Sequence, residues 1–76
     1  MNAAAVTAAL HATADQLAGN LTVWAERDPA EPLRYQPEAL AARQDALRVI
    51  DEAIGQLRRL RRELAGGTHR MRGRRS

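Results

Sequence analysis

The sequence predicts an all-α chain folded as a two-helix antiparallel hairpin, on three observations. Apolar residues recur at spacings of three and four through two long stretches, and Pro29, Pro32 and Pro37 fall together between them. The residues that build sheets are scarce: there is no Phe, and Val and Ile together number five in 76 residues. The hydrophobic fraction is 45%, but 16 of those residues are alanine, which leaves 18 larger apolar side chains to build a core. A chain of this size struggles to bury enough surface by itself, and without cysteine it has no disulfide to help. The hairpin is therefore expected to be completed to a four-helix bundle, by dimerisation or by a helical protein partner.

The first helix is expected over about residues 3–27, opening at Asn2, whose side chain suits an N-cap. Val6, Leu10, Leu17, Leu21 and Trp24, with Ala14, lie along one face. Gly19 and Asn20 interrupt it, the glycine at a cost of about 1 kcal/mol relative to alanine. Leu17, Leu21 and Trp24 stay in phase across the interruption, so one continuous helix is preferred to two pieces. Residues 28–36 form a proline-rich turn, because prolines remove backbone donors and hold the residues before them out of helical geometry.

The second helix is expected over about residues 37–65. Pro37 suits its first position, and Glu38 complements the dipole of the first turn. Two columns at seven-residue spacing, Leu40, Leu47, Ile54, Arg61 and Arg43, Ile50, Leu57, Leu64, make a coiled-coil-like seam flanked by Ala39, Ala46, Ala53 and Leu60. The interface and core are thus expected at Leu10, Leu17, Leu21 and Trp24 of the first helix against Leu40, Leu47, Ile50, Ile54, Leu57 and Leu64 of the second. Arg43 is placed to stack on Trp24. Gly66 and Gly67 are read as the stop, since glycine adopts the left-handed conformation that closes helices, and residues 66–76 as a flexible arginine-rich tail.

Charge divides the chain in two. Residues 1–57 carry four arginines against eight acids, a net of −4, while residues 58–76 carry eight arginines against Glu63, a net of +7. Lysine is absent, as the codon bias of a GC-rich genome would also produce. Dipole complementarity accounts for some basic residues in a last helical turn but not for Arg70 to Arg75. Arg58, Arg59, Arg61, Arg62, Arg70, Arg72, Arg74 and Arg75 are the candidate nucleic-acid-binding residues, gripping phosphates of DNA or RNA with low sequence specificity. Trp24 and Tyr35, the aromatic residues that could stack on bases, are remote from this end. The alternative function is a protein–protein adaptor or assembly subunit that uses the open apolar side of the hairpin, its basic end only solubilising or steering.

Enzymatic chemistry has little material. No serine precedes Ser76, there is no cysteine, and the one His–carboxylate pair at helical spacing, His11 and Asp15, reads as an ordinary surface pair. No metal-ligand spacing and no phosphate-binding loop is present, so no metal, cofactor or small-molecule substrate is expected. The first basic residue is Arg27, so a secretory n-region is missing, and the uncharged run Met1 to Ala14 is too short to span a bilayer. The expected location is cytoplasmic, and membrane attachment is disfavoured because the basic end lacks Trp or Phe anchors.

Overall fold

The computed structural model describes the backbone of residues 2–75 and the side chains of residues 2–66. Helix α1 spans Ala3–Ala25, a short 3-10 turn spans Leu33–Tyr35, and helix α2 spans Pro37–Arg75. The described residues contain no strand. α1 and α2 pack antiparallel along the whole of α1: Thr13 meets Gln56, and Asn20 meets Asp45. That register brings Ala3 level with about residue 66 of α2, so the last turns of α2 run past the end of α1.

Local chemistry sets each boundary. The Asn2 side chain accepts a hydrogen bond from the Ala5 N–H at 3.1 Å, satisfying a donor that helix geometry leaves over at an N-terminus. α1 passes through Gly19 and Asn20 without interruption. It ends at Glu26, and the Arg27 guanidinium closes that end by donating to Trp24 O at 3.0 Å while lying 3.8 Å from the centroid of the Trp24 ring. The cation on Trp24 is therefore Arg27, three residues on along the chain, and not Arg43. In the connector, Asp28 Oδ1 accepts from Ala30 N at 2.9 Å, and the Gln36 carboxamide spans the turn. Its oxygen accepts from Asp28 N at 2.8 Å, and its nitrogen donates to Asp28 O at 2.8 Å and Glu31 O at 2.9 Å. The three prolines restrict this segment and Gln36 ties it shut.

The expected stop at Gly66 does not occur. Among the described residues no glycine has a positive φ, and α2 continues to Arg75. Glycine permits a left-handed closure but does not impose one, and the arginines that follow are good helix formers. The flexibility expected of the residues after Gly66 lies outside what is described.

The larger correction concerns which stripe of α2 faces α1. Buried are Ala39, Ala42, Ala46 and Val49, the last completely, with Ala53, Gln56 and Leu60 half-buried in continuation. Against them lie Leu10, Thr13, Leu17, Asn20 and Trp24, of which Thr13 is buried and the others half-buried. Both sets alternate in steps of three and four, so each is a heptad seam. The expected second-helix core residues Leu47, Ile50, Ile54, Leu57 and Leu64 sit one position further round and are exposed, as is Leu21 of α1; Leu40 is half-buried. Small side chains let two helices approach closely, and that proximity lets Asn20 reach Asp45 and Thr13 reach Gln56. The Thr13 hydroxyl also donates to Ala9 O at 2.9 Å, and no buried side-chain polar atom among the described residues lacks a partner.

Candidate interaction surfaces

One residue corresponds to a rotation of about 100° around a helix, so a stripe displaced by +1 from a seam lies on its flank. In an antiparallel pair the +1 flanks of both helices fall on the same side. On that side α2 presents Leu47, Ile50, Ile54, Leu57 and Leu64, which are 51, 38, 41, 52 and 59% exposed. From Leu47 to Leu64 this outer face runs about 26 Å. α1 adds the exposed residues Thr7, His11, Ala14, Ala18 and Leu21. Thr7, Ala14 and Ala18 are small where the side chains of α2 are large, so the α2 row forms a ridge. Near one end, Leu57, Leu60, Arg61 and Leu64 line a shallow depression.

The opposite flank is polar. Asp45 accepts from Asn20 Nδ2 of α1, and its Oδ1 also accepts from Arg48 Nε at 3.0 Å and Nη2 at 2.8 Å. Arg48 also pairs with Glu52 at 3.4 Å. The Asn20 carboxamide, and after it the Arg48 guanidinium, hold the Asp45 carboxyl below its ordinary range, because each hydrogen bond favours the charged form. The two flanks of the hairpin thus differ in kind: one is satisfied by its own polar pairs, the other carries the exposed apolar row of α2.

The basic residues within the described side chains do not form a single patch. Arg58, Arg59, Arg61 and Arg62 are all exposed. With Leu60 turned toward α1, helical geometry sends Arg58 and Arg62 to the back of α2, Arg61 to the apolar flank and Arg59 to the polar one. Arg59 and Glu63 border a groove of about 350 Å³ at the open end of the hairpin, shared with Val6, Leu10 and Gln56. These arginines form a collar on the three sides of α2 that α1 leaves free. Arg61 lies beside α1, short of the stretch of α2 that runs past its end. Arg70, Arg72, Arg74 and Arg75 lie outside the residues whose side chains are described.

Among the described residues no group of His, Asp and Glu is arranged to hold a metal ion. His11 and Asp15 are both exposed and no hydrogen bond joins them. Among the described residues no helix is long and apolar enough to cross a membrane. The polar seam residues Thr13, Asn20 and Gln56, and Asp45 beside the seam, escape a reading that weights large apolar side chains. The signal for them is that Thr13 and Asn20 complete the heptad spacing of Leu10, Leu17 and Trp24. No family model, curated protein or solved structure matches the chain.

Proposed function

We propose that this chain is a small non-enzymatic assembly module, a hairpin that docks on another helical surface through the outer face of α2. The supporting observation is the exposed row Leu47, Ile50, Ile54, Leu57 and Leu64, at coiled-coil spacing, beside a buried seam that does not use it. Burying the exposed half of such a side chain is worth about 1 kcal/mol, so the row offers about 5 kcal/mol before the costs of association. A cytoplasmic setting suits this role and a cysteine-free chain. The test is capture from native extract, with and without nuclease, on immobilised wild-type chain and on Ile54→Glu. The expected result is nuclease-resistant partners retained by the wild type and lost by the variant, with helicity unchanged by circular dichroism. Equal retention by both would refute the reading.

A second reading, binding of nucleic acid through the phosphate backbone, is favoured by the exposed collar Arg58, Arg59, Arg61 and Arg62 and by the net +7 of residues 58–76. Binding to a random DNA duplex and a random RNA should weaken with salt at a log–log slope between about −3 and −7, as four to eight arginines engage. Salt-independent or absent binding excludes it.

A further inference from the structure

We propose that the occupant of the outer face of α2 is the same face of a second copy of this chain, laid antiparallel, with Ile54 beside Leu57 of the second copy and Leu47 beside Leu64 of the second copy. The inference rests on the docking reading above and adds to it the partner, the orientation and the register.

Spacing supplies the first argument. Leu47, Ile50, Ile54, Leu57 and Leu64 alternate by three and four, with Arg61 in the remaining slot, so the row is complementary to itself as knobs and holes. Charge supplies the orientation. A parallel pair would stack Arg58, Arg59, Arg61 and Arg62 on their own copies. An antiparallel pair instead carries Arg58 alongside Asp51 of the other chain, the acid between Glu38 and Glu52 that borders the row, while Glu38, Asp45 and Glu52 lie round toward the opposite flank.

The register follows from the two charges beside the row. Asp51 and Arg58 are both exposed and flank it on the side away from α1. In the proposed register each Asp51 lies within one turn of Arg58 of the second copy, so the pair forms twice, and Ile50 meets the aliphatic stem of Arg61. Slipping by one heptad in one direction sets Asp51 against its own copy and Arg43 against Arg61. Slipping in the other sets Arg58 against its own copy. The favoured register also overlays the two α2 helices almost end to end over Pro37–Arg75. The two-fold axis leaves both α1 helices on one side and passes near residue 11 of each, so that the flank carrying Thr7, His11, Ala14 and Ala18 of one copy runs antiparallel to the same flank of the other and closes a four-helix bundle.

The test uses the full-length chain in equilibrium sedimentation at micromolar concentration, with circular dichroism as the check on folding. Wild type should sediment as a dimer, and Ile54→Glu as a folded monomer. Asp51→Arg alone and Arg58→Asp alone should each raise the dimer dissociation constant about tenfold, since each turns two attractive contacts repulsive, and the double variant should return it to near wild type. A dimer lost in Ile54→Glu but not rescued by the double reversal overturns the antiparallel register and leaves the docking face standing. Wild-type monomer overturns the second copy as occupant, and the docking reading then stands or falls on whether capture depends on Ile54. A dimer indifferent to Ile54→Glu overturns both.

Discussion

The Gln36 carboxamide uses its oxygen and its nitrogen on three backbone groups of the connector, two of Asp28 and one of Glu31. Hydrogen bonds of this kind contribute about 0.5–1.5 kcal/mol each, so Gln36→Ala should destabilise the chain by about 1–3 kcal/mol in urea unfolding. Gln36→Glu should cost at least as much, because a carboxylate can accept from Asp28 N but sets negative charge against two carbonyl oxygens. Asp45 makes a pH prediction. Its folded-state carboxyl lies below the ordinary value of 3.8, so the stability it adds is fully present above that value and is lost as pH falls through the lower folded one. The difference in urea midpoint between wild type and Asp45→Ala should therefore shrink between neutral pH and about pH 2. A constant difference would mean that charge has no part in the contact with Asn20.

Within α2 two stripes of the same period stand one residue apart, and they should respond to mutation in opposite ways. Ala46→Leu puts bulk into the buried seam and should cost about 1–3 kcal/mol by overpacking. Leu47→Ala, conventionally the more damaging change, removes a side chain already 51% exposed and should cost the hairpin itself under about 1 kcal/mol. Comparing their unfolding at low protein concentration checks this. Gly66→Ala should raise helicity and stability by up to about 1 kcal/mol, because a Cβ there meets nothing within 4 Å; a loss would restore Gly66 as a left-handed stop. This contrast marks where the sequence is legible. The all-helical class, the Asn2 cap and the start at Pro37 can be read, since each rests on local chemistry that a few neighbouring residues contain. Which stripe turns inward cannot be read from period, because a shift of one residue leaves the period unchanged. Side-chain size then points to leucine, whereas close approach and the pairs Thr13–Gln56 and Asn20–Asp45 select alanine. A cluster of exposed arginines at 58, 59, 61 and 62 is legible in the sequence, but not their dispersal around three sides of the helix, which depends on where α1 lies.

The molecule measures 62 × 22 × 13 Å, with a radius of gyration of 18.4 Å. A compact chain of this length would have about 11 Å. An elongated, one-layer hairpin has no interior beyond its seam, so additional burial has to come from outside. If a second copy supplies it in the register proposed above, small-angle scattering should show a dimer that is wider than the monomer but scarcely longer than 62 Å. End-to-end association would lengthen the particle substantially. The brace at Gln36 also sets a time order. Closing the loop is the entropic step that must precede any reward between the helices, and here it involves only residues 28–36. With the turn shut, contacts add outward, first Asn20 to Asp45, then Thr13 to Gln56, then Val6 and Leu10 toward Leu60. Folding should therefore run as a zipper started at the connector, and amide exchange should be fastest at the opposite end, where the arginine collar sits; uniform protection along both helices would contradict this order.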